Sequence, residues 1–273
     1  MFNSKKVPSL KWWKATPNWG DTFSPVLFER ISGVRPRHLG RENPRRLPNY
    51  VSMGSILSWA DEQSAVWGAG FLSEGQELEG RPQQVCAVRG PLSRKILFTQ
   101  HVPCPEVYGD PALLLPRFFS PALTGEFRLG VVAHYVDKGD RRLRRLRSDG
   151  DVLLIDVQGG VDDFVRQVCR CRAIVSSSLH GMIVADAYGI PAGWVELSER
   201  VVGNGFKFRD YFASVGKTTT KPMRIDEEVS AAMLLDAVDT AGASIDLDAL
   251  WDTCPFKDLG ERNGASGRGT RNT

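Results

Sequence analysis

Residues 172–191 read RAIVSSSLHGMIVADAYGIP, and their pattern decides the fold of the chain. An apolar strand at residues 173–175 leads into three serines, a Leu-His-Gly turn and a helix whose apolar face includes Ile183, Val184 and Ala187. A helix that starts directly after a strand presents its first N–H groups, and the positive end of its dipole, at the edge of the sheet. The stretch therefore predicts a strand, turn and helix unit that binds an anion.

His180 lies within the turn of this unit, among small residues that let a ligand approach the imidazole closely. Because a histidine gains or loses a proton near neutral pH, we expect His180 to act on the bound ligand, and the alternative is a helix-capping role. The residues of the same turn that we expect to contact the ligand are Ser176, Ser177, Ser178, Leu179 and Gly181.

Apolar strands alternate with helical patterns along the whole chain, as in parallel βαβ units. We predict two Rossmann-like parallel-sheet domains that face a cleft, at residues 1–115 and 116–259, followed by a disordered tail at 260–273. Residues 111–123 contain three prolines and are the expected linker. The predicted strands are 10–13, 50–53, 65–67, 85–88, a stretch ending at Tyr108, 129–133, 152–156, 173–175 and 192–196. The predicted helices are 23–31, 91–98, 161–171, 182–188 and 227–241.

The composition is that of an ordinary globular protein, with 273 residues, 42% hydrophobic and 25% charged residues, and a net charge of +3. No apolar run approaches the roughly 20 residues that cross a bilayer, so we expect a cytoplasmic protein. Its five cysteines have no disulfide-framework spacing and are expected to be buried free thiols in a reducing compartment. No motif indicates a metal.

Five arginines crowd into residues 141–147. The simplest interpretation is a solvated surface, although a patch this basic also suits attraction to anionic lipid at the inner face of the plasma membrane. Nucleic acid is not expected as a partner, because no aromatic residues are interleaved with the arginines.

Further candidate site residues follow other predicted strands. Asn18, Gly20 and Asp21 lie between the first strand and the first helix, where an open parallel sheet offers its crevice; helix capping is the alternative role. Arg89 directly follows a predicted strand and is expected to point into the crevice, where its guanidinium would bind phosphate or carboxylate. The alternative for Arg89 is a surface pair with an acidic neighbour.

Three other groups complete the candidates. Gly68 and Gly70 do not continue as a dinucleotide-binding motif and are expected to allow a close approach of a neighbouring element or ligand. Lys207 and Arg209 alternate with phenylalanines on a predicted loop or short strand and are reserve cations for an anion. Tryptophans near the first strand are candidates to stack on sugar rings, with core packing as the default for the first two: Trp12, Trp13 and Trp19.

Several motifs occur in an order that resembles the polysaccharide pyruvyltransferase family, most closely its bacterial exopolysaccharide, ketal-forming branch. Besides Leu179-His180-Gly181, they are Pro17-Asn18-Trp19-Gly20-Asp21, Met53-Gly54-Ser55-Ile56-Leu57, Trp67-Gly68-Ala69-Gly70-Phe71, Val88-Arg89-Gly90-Pro91-Leu92-Ser93 and Gly109-Asp110-Pro111-Ala112. The resemblance covers most of the chain and implies a two-domain, glycosyltransferase-B-like fold. Many relatives carry arginine where this chain has Ser178, so another residue here must meet that charge.

The resemblance implies that the chain moves the pyruvyl group of phosphoenolpyruvate onto saccharide hydroxyls, with no further cofactor. The acceptor would bind the first half and the donor the second, with phosphate at the Ser176 to Gly181 turn near Arg89. His180 would protonate C3 of the enol or steady the departing phosphate. The alternatives are a glycosyltransferase that uses a nucleotide sugar, a catalytically silent saccharide-binding protein, and an enolpyruvyl transferase. A lipid-linked acceptor also fits the basic run.

Overall fold

A computed structural model describes residues 7–146, 149–225 and 229–260, which form two five-stranded parallel sheets. The first sheet contains β1 (Ser9–Lys11), β2 (Arg37–Leu39), β3 (Asn49–Val51), β4 (Ser64–Trp67) and β5 (Gln84–Ala87). The second contains β6 (Leu129–Val132), β7 (Val152–Ile155), β8 (Ile174–Ser176), β9 (Ala192–Glu196) and β10 (Met223–Arg224). The predicted α/β fold with Rossmann-like sheets is thereby confirmed.

Both sheets have the same topology. The strand order is β2-β1-β3-β4-β5 in the first and, read from the opposite edge, β7-β6-β8-β9-β10 in the second. In each sheet the chain reverses its direction of travel between the first and third strands. Such a switch point opens a crevice beyond the carboxyl ends of the strands, where ligands of open α/β sheets bind. The topology therefore predicts a ligand site near the ends of β1, β3, β6 and β8.

Helices connect the strands and cover the sheets. They are α1 (Trp19–Ser32), α2 (Pro91–Thr99), α3 (Arg141–Leu146), α4 (Val161–Cys169), α5 (Leu179–Ala187), α6 (Phe206–Ser214), α7 (Ala231–Leu235) and α8 (Leu247–Asp252), together with 3-10 turns at Leu57–Trp59, Pro111–Arg117 and Tyr135–Asp137. Within the described residues, no helix is both long and apolar enough to span a bilayer.

α5 is buried along seven of its nine residues, Leu179 to Ala185. It packs on β8 and β9 on one side, and the 3-10 helix Pro111–Arg117 covers another side. This explains why its sequence is apolar around most of the helix rather than along one stripe.

The expected linker proved to be part of the core. Pro111 to Leu115 are buried, with Leu114 and Leu115 fully so, and this segment is the main neighbour of α5. One hydrophobic cluster contains Leu10 and Phe23 of the first half together with Phe164 and Ile183 of the second. The two halves therefore share a continuous core, and the predicted boundary at residue 115 falls inside a buried segment.

The C-terminal segment returns to the first half. The indole N–H of Trp67 donates to the carbonyl oxygen of Leu250 at 2.9 Å. The Phe256 ring stacks on Phe28 with centroids 4.2 Å apart and packs edge-on against Trp67 at 5.2 Å. Residues after α7 thus cover the first sheet, although the predicted boundary assigned them to the second half.

Most predicted strands are confirmed within two residues, but four local predictions were wrong. The helix predicted at 227–241 is only α7, since residues after Leu235 turn away; 227 and 228 lie outside the described residues, as does the tail from 261. α1 begins at Trp19, four residues earlier than predicted. The segment of Lys207 is a helix, α6. The stretch ending at Tyr108 makes only an isolated bridge with Val88.

Two other sequence interpretations can be compared with the structure. All five cysteines are free and buried, as predicted. The basic run is not uniformly solvated: Arg142 pairs with Asp140 at 2.7 Å and also donates to the carbonyl oxygens of Leu197 and Ile225. Arg142 lies on α3, whose Leu143 and Leu146 side chains are buried. The run thus combines a structural arginine with exposed ones.

Candidate active site

A cleft of about 1010 Å³ lies at the carboxyl ends of both sheets, at the place indicated by the two switch points. Loops after β1, β2, β3 and β4 form one wall, and segments after β6, β8 and β9 form the other. The polar and charged residues that line it include Asn18, Asp21, Ser55, His134, Ser178, His180, Arg200 and Lys207. The site is therefore built from both halves of the chain.

His180 lies in the first turn of α5 and is 5% exposed. Its Nε2 faces Asp110 Oδ2 at 3.7 Å, and within the described chain neither atom has a hydrogen-bond partner. The other carboxylate oxygen, Oδ1, accepts from the Ala112 N–H at 3.0 Å and so fixes the side chain. Nε2 therefore faces the Asp110 carboxyl group.

The proton affinities of this pair are shifted in opposite directions. Burial, helped by the charges of Lys207 and Arg89, lowers the pKa of His180 to about 3. Burial raises the pKa of Asp110 to about 7, against the opposing effects of the Ala112 N–H and Arg89. At neutral pH the imidazole is therefore neutral, and the carboxyl group holds a proton far more readily than an ordinary aspartate does.

The His180 ring is positioned by α1 of the other half. A Cβ atom on Gly20 would overlap the imidazole, so only glycine fits there. The preceding Trp19 is fully buried with its ring centroid 6.0 Å from that of His180, and its indole donates to the Val161 carbonyl oxygen at 2.9 Å. Gly20 thus contacts the histidine rather than the cleft, and Trp19 serves the core.

Asn18 and Asp21 line the cleft, as the sequence suggested. The Asn18 amide donates to Asp21 Oδ2 at 3.3 Å, while its Oδ1 is buried and has no partner in the described part of the chain. Burial raises the pKa of Asp21 to about 6, with Asn18 and Lys207 acting in the opposite direction. Asp21 thus offers the cleft a carboxyl group that titrates close to neutral pH.

Lys207 in the first turn of α6 is the buried cation of the cleft, at 9% exposure. Within residues 7–146, 149–225 and 229–260, its Nζ has no hydrogen-bond or ion-pair partner, and it lies 5.7 Å from the centroid of the Phe208 ring. Burial and the charge of Arg89 lower the pKa of Lys207 to about 8, against the attraction of Asp21. A buried ammonium without a counter-ion is suited to bind an anion.

His134 was missed by the sequence analysis. It lies two residues after the end of β6 and lines the cleft, with its backbone N–H donating to Ser177 Oγ at 2.9 Å. Burial and Lys207 lower its pKa to about 4, so it too is neutral at pH 7. The usable signal was its place after a central strand at a switch point, opposite the Leu-His-Gly turn.

The predicted turn divides into lining and supporting residues. Ser178 and Leu179 line the cleft beside His180. Ser176 Oγ donates to the Ser178 carbonyl oxygen at 2.7 Å and accepts from the Ser178 N–H at 3.0 Å, and Ser177 supports His134. Gly181 packs so closely on Ser176 that a Cβ atom would overlap its hydroxyl. Their hydroxyls therefore shape the turn.

Arg89 does not point into the cleft, contrary to the expectation. It is fully buried, with its guanidinium 2.9 Å from Asp210 Oδ2 and with further bonds to the Phe71 carbonyl oxygen at 2.6 Å and Ser55 Oγ at 2.9 Å. Asp210 neutralises the charge of Arg89. Arg89 therefore affects the cleft only through long-range electrostatics and through its hydrogen bond to Ser55, which lines the cleft.

Three other candidates also lie away from the cleft. Gly68, with a φ of 87°, touches Pro111, and a Cβ atom on Gly70 would overlap the Arg89 guanidinium, so both glycines serve neighbouring elements. Arg209 donates to the Asn204 carbonyl oxygen at 2.7 Å and faces Glu74 at 3.7 Å. The helical geometry of α6 separates it from Lys207, which alone of the two faces the cleft.

Fold and site together define a class of α/β protein with a polar cleft between two parallel sheets. A family model described as polysaccharide pyruvyl transferase matches residues 64–199. An uncharacterized protein, L143, of Acanthamoeba polyphaga mimivirus is 30% identical over 208 residues, covering 73% of this chain and 71% of that protein. Succinoglycan biosynthesis protein ExoV of Rhizobium meliloti strain 1021 is 32% identical over 240 residues, covering 82% and 69%.

The chain belongs to the polysaccharide pyruvyl transferase family, and it is accordingly a transferase. The matched segment contains Asp110, His134 and His180. Asp21 and Lys207 lie outside it, so their place in the site comes from the three-dimensional structure.

Proposed function

We propose that this protein transfers the pyruvyl group of phosphoenolpyruvate to two hydroxyls of a saccharide, forming a cyclic ketal in polysaccharide biosynthesis. Family membership supports the assignment of pyruvyl as the transferred group. The similarity to succinoglycan biosynthesis protein ExoV supports a role in polysaccharide biosynthesis. One observation carries the proposal: Lys207 and His180 line the same cleft. Lys207 has no partner in the described chain, and His180 lies at the start of α5.

The donor's negative charge is met by groups of the second half. The Lys207 ammonium supplies the positive charge, and the first N–H groups of α5 add hydrogen bonds and the helix dipole. Lys207 thereby takes the role that the family's arginine before Leu-His-Gly would have, at a position where this chain has Ser178. Arg89 supports this site indirectly by its bridge to Asp210 on α6.

The His180–Asp110 pair moves the proton. Nδ1–H of the neutral imidazole donates to C3 of the enol while Nε2 takes the proton of Asp110, once the 3.7 Å gap closes on substrate binding. Positive charge develops at C2, which a saccharide hydroxyl attacks. That hydroxyl's proton returns to Nδ1, and the Nε2 proton returns to Asp110.

Ring closure completes the reaction. The C2–O bond to phosphate breaks, and a second hydroxyl forms its bond to C2, with its proton leaving on inorganic phosphate. The Asp21 carboxylate, which lines the cleft beside Asn18, would accept hydrogen bonds from these hydroxyls. The product has a methyl group where the donor had a vinyl group.

The test is an incubation of the protein with phosphoenolpyruvate and a panel of glucosides and galactosides. We expect inorganic phosphate to appear in step with a ketal methyl signal in the proton NMR spectrum, and we expect His180→Ala to abolish both. A product that keeps its vinyl group, transfer from UDP-glucose instead, or unchanged turnover in His180→Ala would contradict the proposal.

A further inference from the structure

Two tryptophans form an aromatic pair on the first-sheet wall of the cleft. The ring centroids of Trp13 and Trp59 are 6.0 Å apart and their planes are inclined by 46°. Both line the cleft, and Trp13 is 41% exposed. An indole of this size left open to water inside a polar cleft indicates a binding surface, because aromatic rings contribute most when a ligand covers them.

A buried lysine holds this pair in place. Lys11 at the end of β1 is fully buried, and its ammonium donates to the carbonyl oxygens of Trp59 at 2.6 Å and Arg41 at 3.0 Å, and to Asp61 Oδ2 at 2.9 Å. The chain continues from Lys11 directly into Trp12 and Trp13. One side chain therefore joins three segments of the cleft wall, so the aromatic surface is formed before any ligand binds.

The surroundings of the pair suit a sugar. The same cleft is lined by further polar residues of the first half, which are candidates to bond the hydroxyls of a ring whose C–H face lies on an indole: Lys14, Arg41, Gln76 and Glu77. A phosphate is instead expected to bind to the Lys207 ammonium and the first N–H groups of α5, which belong to the second half of the chain. The aromatic wall is thus chemically distinct from the proposed donor site.

The tryptophans and the proposed donor groups belong to different parts of the lining. Trp13 and Trp59 follow β1 and β3 of the first sheet, whereas His180 and Lys207 follow β8 and β9 of the second. The cleft volume, about 1010 Å³, lies at the upper end of the range of about 300–1000 Å³ typical of drug-sized ligands. A three-carbon donor and one hexose leave much of that space unfilled.

We propose that Trp13 and Trp59 form a saccharide subsite that binds a pyranose ring other than the one that receives the pyruvyl group. The acceptor is then an oligosaccharide or a longer glycan rather than a single sugar. This inference rests on the proposed function for the direction of transfer, but the binding it requires does not need the donor.

The test measures binding without phosphoenolpyruvate, by isothermal titration with a series from glucose to cellotetraose and from galactose to galactotetraose. In at least one series we expect affinity to rise about tenfold or more from the monosaccharide to the tetrasaccharide. Trp13→Ala and Trp59→Ala should remove this gain, and Trp13→Phe should keep part of it. Phe98→Ala is the matched control, since Phe98 is 46% exposed and outside the cleft.

Length-independent or undetectable binding in both series, or a gain that survives in the Trp13→Ala/Trp59→Ala double variant, would overturn the subsite. A thermal-shift titration with phosphoenolpyruvate on the same variants separates this result from the proposed function. The variants should keep the wild-type shift, because the donor contacts lie on the other wall. If phosphoenolpyruvate did not raise the melting temperature of the wild-type protein, that result would contradict the donor assignment and leave the saccharide subsite unaffected.

Discussion

At the scale of single residues, the account depends on how His180 is held. Its ring touches Gly20 on α1, and its buried nitrogen faces Asp110. We predict that Gly20→Ala displaces the imidazole and lowers turnover by about 100-fold, since small misplacements of a reacting group have effects of this order. Steady-state phosphate release is the measurement.

The matched control for this substitution is Gly139→Ala, because no heavy atom lies within 4 Å of a Cβ atom there and its backbone is not left-handed. It should leave turnover unchanged. Wild-type turnover in Gly20→Ala would show that the position of the ring is not critical.

Lys207 gives a prediction about stability. Its pKa falls from 10.5 to about 8 on folding, so below pH 8 the folded state bears the full cost of the buried charge, and this cost disappears as pH rises through 10.5. Lys207→Met should therefore raise the free energy of unfolding at pH 7 by about 3 kcal/mol. Urea titrations at pH 7 and at a pH above 10.5 would show the gain and its loss.

The control has the opposite sign. Lys217 is equally buried but pairs with Asp186 at 2.5 Å, so Lys217→Met should destabilise the protein by leaving that carboxylate without its cation. If Lys207→Met also proved destabilising, Lys207 would be a structural residue and the proposed donor site would lose its cation.

Sequence reasoning identified His180, Asn18 and Asp21 as candidates, because strand ends and helix starts are visible as local patterns. It identified Lys207 only from the alternation of basic and aromatic residues, on a segment predicted as a loop or short strand. It placed Arg89 wrongly, since its partner Asp210 is 121 residues away in the chain and no local pattern joins them. The pairing of His180 with Asp110 was hidden for the same reason. Long-range contacts between the two halves thus determine the chemistry of the site.

At the scale of elements, the Arg89–Asp210 bridge joins the start of α2 to α6. Asp210 also accepts from the Ser93 N–H at 2.8 Å and from Ser93 Oγ at 2.7 Å. Removing one partner of a buried ion pair leaves the other charge uncompensated, so we expect Arg89→Met to cost about 3–5 kcal/mol of stability. The double variant Arg89→Met/Asp210→Asn should cost less than the two single changes together.

Urea unfolding of the four proteins in this cycle gives the coupling energy. Strictly additive changes would mean that the two side chains contribute independently, which the 2.9 Å geometry does not allow.

The elements themselves were largely predictable. Apolar runs gave eight strands because buried parallel strands are continuously hydrophobic. β2 was missed because Arg37–Leu39 is an edge strand with exposed residues, and β10 is only two residues long. The prediction of a helix at 227–241 was wrong because the periodic apolar pattern continues past the end of α7. The residues beyond α7 instead form a bridge with β9, between Asp239 and Ala192.

At the scale of the whole molecule, the shared core predicts cooperative unfolding. Trp19 on α1 packs against Phe164 on α4, with ring centroids 5.2 Å apart, and the segment after α7 packs on the first sheet. We expect tryptophan fluorescence and far-UV circular dichroism to report one coincident transition in urea. Two separate transitions would show that the halves at 1–115 and 116–259 fold independently.

The most direct test of the central claim is a thermal-shift titration with phosphoenolpyruvate, run on the wild type and on Lys207→Met at pH 7 and pH 9. A ligand that binds only the folded state raises the melting temperature. The account predicts a clear rise for the wild type at pH 7, a smaller one at pH 9 as the ammonium with its pKa of about 8 deprotonates, and none for Lys207→Met. An equal rise in the variant, or a rise only with a nucleotide sugar, would contradict it.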